Sequence, residues 1–160
     1  MFLIVDTSPL ISLIVINKLN LLKELFPEFN LPNAVWEELE AHNQLKLYKK
    51  ELDFLKQYVN KSISSPITIP GIDKGETEAI QLYIELNANV LLIDDKKARS
   101  IAELMDIKCI GTIALLALAK RQKLIAAIRP LFISLLSNKR YYSKKLLDQV
   151  LVLDNEKKLD

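Results

Sequence analysis

The stretch "VLLIDDKKAR", residues 90–99, decides the fold. Four apolar residues run together without the alternation of a half-exposed strand, as in a strand buried on both faces. The run stops at two aspartates, Asp94 and Asp95, and "DKKARSIAELMD" then reads as a helix with a charged outer face. A strand buried on both faces and followed directly by a helix belongs in a parallel sheet with helices above and below.

Working outward, the same unit recurs. "FLIV" (Phe2–Val5) is a second apolar run that ends in an acid, Asp6. Ser8 can cap a helix that opens at Pro9 and covers Pro9–Ile16, and another covers Leu19–Phe26. "NLPNAVWEELEAHN" predicts a short extended segment and a helix capped near Asn33. Residues Leu45–Asn60 look amphipathic. "SISSPITIPGIDKG" is loop with room for one short strand. A helix begins just after Gly75, a third strand is "IKCIG", and a further helix follows Gly111. "AIRPLFISLLSN" and "SKKLLDQVLVL" make the C-terminal part helical from about residue 127. The expectation is one α/β domain over 1–160, with no repeat and no linker.

Composition limits the function classes. Half of the residues are hydrophobic, against 22 basic and 20 acidic ones, so neither disorder nor a strong global field is indicated. The one cysteine, Cys109, excludes an internal disulfide framework and fits a reducing compartment. The one histidine, His42, excludes a histidine-rich zinc site. The apolar N-terminus has no basic flank and is shorter than the roughly 18–20 residues that span a bilayer, so a cytoplasmic protein without membrane contact is expected.

In a parallel sheet, sites lie beyond the carboxyl ends of the strands. Asp6, Asp94 and Asp95 all stand there, and neighbouring strands are only about 4.8 Å apart. Converging carboxylates repel, and a divalent cation relieves the repulsion; all-oxygen ligands favour Mg²⁺ or Mn²⁺ over zinc. Without metal, Asp6→Asn or Asp94→Asn should therefore stabilise the fold. Further acids stand on helices. Among Glu37, Glu38 and Glu40, Glu38 sits at the margin of the buried face. Glu76 and Glu78 lie about 200° apart around one helix, and phase turns Glu76 inward and Glu78 toward the flank. The competing reading of Glu76 is a capping box with Asp73. Lys96, Lys97 and Arg99, and Lys139, Arg140, Lys144 and Lys145, form two basic clusters. Each suits either a nucleic-acid backbone or a solvated helix face. Tyr141 and Tyr142 can stack on bases or pack against the C-terminal helices.

In order, "IVDTSPLISLIVINKLNLLKELF", "LPNAVWEELE", "KGETEAIQLYIELNANVLLIDDKKARSIAELM" and "IKCIGTIALLALAKRQKLI" resemble the PIN domain over roughly residues 2–136. The likeness is to a branch related to the toxin ribonucleases of toxin–antitoxin pairs. It implies a three-layer α/β/α sandwich around a central parallel sheet. It implies a metal-dependent endoribonuclease, with Mg²⁺ or Mn²⁺ as cofactor and RNA as substrate. Asp6, Glu38, Glu76 and Asp94 match the family's acids, with Asp6, Glu76, Asp94 and Asp95 as metal ligands. Thr7 and Ser8, with Glu78, are supporting residues, and Lys96, Lys97, Arg99, Lys139 and Arg140 hold RNA. A homodimer and a small antitoxin partner are further implications, and the dense "LISLIVI" and "LLALA" segments offer apolar surface for the dimer. The chain departs from the family pattern in having glutamate at 76 and in doubling Asp94 with Asp95. The alternative is a non-catalytic PIN-like module that binds RNA or protein. A haloacid-dehalogenase phosphatase is disfavoured because Ser8 stands where its second acid belongs. A response-regulator receiver is disfavoured because the acidic pair lies mid-chain.

Overall fold

Five short strands form one sheet with every neighbouring pair parallel: β1 (Phe2–Val5), β2 (Glu28–Pro32), β3 (Val59–Asn60), β4 (Val90–Leu92) and β5 (Cys109–Ile110). The computed structural model describes all of residues 1–160. The spatial order is β3-β2-β1-β4-β5. The chain thus winds outward from β1 to β3 on one side, returns, and winds outward from β4 to β5 on the other. The reversal falls between β1 and β4, where a parallel sheet opens a crevice at its carboxyl end.

The uninterrupted apolar strands have the reason expected of them. Leu3, Val5, Val90 and Leu92 face one core, while Ile4, Leu91 and Ile93 face the other. The smaller core is closed by α5 (Lys74–Glu85) and α6 (Lys96–Leu104), through Ala79, Ile80, Leu82, Ala98 and Ala102. The larger core takes side chains from α1 (Thr7–Val15), α2 (Leu21–Leu25), α3 (Asn33–Ala41), α4 (Lys49–Lys56), α7 (Thr112–Arg121), α8 (Arg129–Ser137) and α9 (Lys144–Leu153). The result is the α/β/α sandwich.

Three local readings change. The amphipathic segment is divided: α4 covers its middle, and at its end Val59 and Asn60 pair with Leu31 and Pro32 as an edge strand, with Phe29 stacked on Tyr58 at 4.2 Å. The Ser/Pro-rich stretch contains no strand. Two of its backbone groups are held by Gln81, which accepts from Ile67 N and donates to the Ser65 carbonyl. The "LISLIVI" segment is buried within the chain, as is most of "LLALA", so neither offers surface to a second copy.

The C-terminal helices are part of the main core. Phe132, Leu135, Leu147 and Leu151 are fully buried and join the same cluster as α1 and α7. The tail is then tied back: Glu156 accepts from Ile128 N and Arg129 N at 2.8 Å and pairs with Lys120. Phe132→Ala should therefore cost about 3–5 kcal/mol of global stability. Urea denaturation monitored at Trp36, which packs in that same core, should show a single transition moved to lower urea.

Candidate active site

Asp6 follows β1 directly, and its backbone N–H donates to the Leu92 carbonyl at 3.0 Å, which fixes it beside the end of β4. It occupies the N-cap position of α1 yet makes no side-chain capping bond, so the carboxylate stays available to the crevice. It is only 4% exposed. Burial pushes its pKa well above the ordinary carboxylate range. The adjacent Thr7 N–H pulls the other way, and the charges of Glu76, Asp73 and Glu38 push it further up.

The two aspartates after β4 have different tasks. Asp95 is the N-cap of α6, accepting from Ala98 N at 2.8 Å. Asp94 is held by three donors: Thr112 N (2.8 Å) on Oδ1, and the Thr112 hydroxyl and Tyr142 hydroxyl (2.7 Å each) on Oδ2. A carboxylate has about four acceptor positions, so most of its capacity is already used. The Tyr142 hydroxyl also meets Ser12 Oγ at 2.8 Å, linking α1 to the connection between α8 and α9. Burial and the neighbouring Asp94 raise the Tyr142 pKa far above its ordinary value, so this phenol stays a donor.

Glu38, on α3, accepts from the Thr7 hydroxyl at 2.7 Å. Its carboxyl is raised by burial, against the pull of the Thr7 hydroxyl, with Asp73 adding to the rise. Gly75 makes this approach possible, because a Cβ there would fall on the Glu38 carboxylate. Gly111 has the same role beneath β5: a Cβ would fall on the Arg99 guanidinium and come within 3.2 Å of Asp94 Oδ1.

Asp6, Glu76, Asp94 and Asp95 line one cleft of about 440 Å³ at the strand reversal, with Ser8, Lys139, Arg140, Tyr141 and Tyr142. Glu38 stands behind Thr7, outside that lining. The donor set is all oxygen, which suits Mg²⁺ or Mn²⁺. The ring of ligands is open: no three acidic side chains, as they stand, are grouped closely enough to clasp one ion.

The helical phase of α5 corrects the sequence reading. Glu78 is the buried acid, at 7% exposure, and Glu76 is half-buried. The phase argument assumed a single buried face, but α3 also packs along α5 and covers the Glu78 flank. Glu78 faces away from the acidic cleft and accepts from Ala34 N at 3.0 Å, holding the first turn of α3. Glu76 forms the full capping box with Asp73 and still reaches the cleft, so its two readings coexist. Its carboxyl is raised by burial, opposed by the Asp73 N–H, and raised again by Asp73, Asp95 and Glu38.

The basic residues divide. Lys139 lines the cleft, and Lys96 lines a groove next to it. Lys97 is exposed and lies over Gly71. Arg99 turns inward and donates to the Ile93 carbonyl at 2.9 Å. Arg140 is tied to α1, through Ser8 Oγ at 2.6 Å, the Ser8 carbonyl and Ser12 Oγ at 3.1 Å each. Arg140 is a fixed part of the cleft wall, and Arg99 of the neighbouring groove. Lys144 pairs with Asp148 on α9, while Lys145 is exposed. The sequence reading passed over Thr112, Ser12 and the Asp94-binding role of Tyr142. For Thr112 a signal existed: it follows a strand end as Thr7 does, at the same remove from the sheet.

A family model described as DUF3368, a PIN domain, matches residues 2–156. The chain belongs to the PIN domain family. Members of that family are commonly nucleases. Among solved structures, a PilT N-terminus domain protein from the hyperthermophilic archaeon Sulfolobus solfataricus P2 aligns at TM-score 0.51 and 21% identity. That alignment covers 73% of this chain and 92% of the archaeal one, and it bears on the PIN fold alone. No functionally curated protein matches. No helix is long and apolar enough to cross a membrane.

Two predictions follow from these environments. The raised Asp6 pKa means that the folded state binds the proton more tightly than the unfolded one. Its favourable contribution is complete below the unfolded pKa of about 4 and is lost as pH rises through the folded value. In metal-free buffer, Asp6→Asn should raise Tm near neutral pH and do so less at pH 4. Asp94→Asn should instead lower Tm at both pH values, because one of the two oxygens that take the three donors becomes an NH₂, which cannot accept. That reverses the repulsion-based expectation for Asp94, and parallel thermal melts of the two variants check it.

Glu78→Ala should cost about 1–3 kcal/mol by stranding the buried Ala34 N–H. Its Mn²⁺ affinity, read by calorimetry, should stay at the wild-type value. Glu76→Gln should give the opposite pattern, weakening Mn²⁺ binding with a smaller change in Tm.

Proposed function

We propose that this PIN domain is a metal-dependent endoribonuclease that hydrolyses RNA phosphodiester bonds. The observation that carries this reading is that Asp6, Glu76, Asp94 and Asp95 share one cleft at the strand reversal, with Lys139 on its wall. Asp6, Glu76, Asp94 and Asp95 would hold Mg²⁺ or Mn²⁺, which when bound supplies an activated water and neutralises charge on the phosphoryl oxygens.

The chain's own contribution is placement. Thr112 and Tyr142 fix the Asp94 carboxylate, and Thr7 fixes Glu38. Burial and mutual repulsion disfavour the charged forms of Asp6, Glu38 and Glu76, and a bound cation would offset both effects. Lys139 offsets the acids where a phosphate must approach. Arg140 holds the Ser8 end of α1 in register with the C-terminal connection. No residue is required as a covalent nucleophile.

One observation favours the second reading, a non-catalytic RNA- or protein-binding PIN module: the acids do not yet close on a common point, and Asp94 is largely occupied. By family likeness, the proposal extends to a homodimer and to a small antitoxin protein as partner.

The test is cleavage of end-labelled RNA across a broad substrate panel. Wild type should cut with Mn²⁺ or Mg²⁺, EDTA should abolish cutting, and Asp6→Asn should reduce it by about 100-fold or more. Mn²⁺ should also raise the wild-type Tm with a dependence on its concentration. A wild type that cuts nothing with metal supplied, and shows no metal-dependent Tm shift, establishes the binding-module reading instead.

A further inference from the structure

A second groove, of about 530 Å³, opens beside the acidic cleft and shares Asp94, Tyr141 and Tyr142 with it. Its floor is apolar, formed by Ile113 and Ala114 of α7 and by Leu146 and Val150 of α9. Lys96 stands at its rim, exposed and without a carboxylate partner. We propose that this groove seats an unpaired nucleobase of the strand whose phosphate lies at the acids, stacked against Tyr141. The inference rests on the nuclease reading for the position of that phosphate, and adds a base-binding subsite to it.

Three observations converge. Tyr141 is 75% exposed and its hydroxyl makes no hydrogen bond in the chain, so folding does not account for an aromatic ring there. Its neighbour Tyr142 is the contrast: half-buried, bonded to Asp94 and Ser12, and fully explained by the site's architecture. Tyr141 therefore stands free where the two cavities meet, an exposed aromatic ring within reach of a planar ligand.

The second observation is charge. A phosphate brought to four carboxylates must be compensated on both sides along its strand. Lys139 lies in the cleft and Lys96 in the groove, neither paired with an acid. Each cavity thus carries one exposed, unpaired lysine. The third observation is polarity. The groove turns from charged at the Asp94 end to apolar between α7 and α9, as needed by a ligand with a phosphate at one end and a flat, weakly polar ring at the other. A strand with bases splayed out fits that description, whereas a paired duplex keeps its bases stacked and unavailable.

The test is fluorescence anisotropy in EDTA buffer, where no cleavage occurs. The probes are a labelled 12-nucleotide single-stranded RNA and a strand of equal length made of abasic sugar phosphates. Wild type should prefer the base-containing strand by about five-fold or more. Tyr141→Ala should lose that preference while keeping its affinity for the abasic strand, with Tm unchanged. Ala114→Trp, which fills the exposed floor, should also lose it. Equal wild-type affinity for both strands, no binding of either, or a preference that survives both substitutions overturns the inference. The nuclease reading fails separately, if wild type shows the base preference but cuts no RNA when metal is added.

Discussion

The burial of the Asp6 carboxylate is the constraint around which the molecule is arranged. A carboxylate almost withdrawn from water is costly unless something balances it. Here the neighbours make the cost larger, since Glu38, Asp73 and Glu76 all add negative potential. The sheet nonetheless fixes Asp6 through its own backbone bond to β4, at the point where strand order reverses. Ordinary folding offers cheaper choices at the end of a strand, such as an asparagine or serine that caps α1. That the carboxylate caps nothing and faces a cleft with three other acids makes a cation its natural complement.

The C-terminal helices belong to the same arrangement. Without α8 and α9 the larger core would lose Phe132, Leu135, Leu147 and Leu151, and the cleft would lose a wall. The connection between these helices passes over the carboxyl end of the sheet and delivers Arg140 to α1 and Tyr142 to Asp94. Packing energy and site geometry are therefore coupled. The burial that anchors α8 and α9 also supplies one of the three bonds that hold Asp94, and loosening the helices would free an acceptor on it.

Much of this was legible in the chain. β1 and β4 were readable because burial on both faces removes the alternation that obscures strands elsewhere, and the half-buried edge strand β5 as a short apolar run closed by Gly111. The strand-end acids were readable because sheet topology gives that position a meaning. Val59–Asn60 was not readable, since two residues carry no period and pair only because Leu31 offers them an edge. Glu76 and Glu78 were assigned the wrong burial because a helical wheel describes one helix against one surface, and α5 is covered by both the sheet and α3. Tyr142 lies 48 residues from Asp94 along the chain, and no local pattern encodes a contact at that separation.

The basic residues show the same division between what type and what position can tell. Both charge clusters looked alike in sequence. In the fold, Arg99 and Arg140 face inward to backbone carbonyls and serine hydroxyls, while Lys96, Lys97 and Lys139 remain at the surface. The planar, five-donor guanidinium can satisfy several acceptors at once and is less strongly hydrated, whereas a lysine ammonium is a compact, well-hydrated charge. Arginine is therefore built into the walls of the cleft and of the groove beside it, and lysine keeps its charge at the surface. Lys139, exposed on the wall of the cleft, is thus left free to meet an anion beside the buried carboxylate that the fold keeps open there.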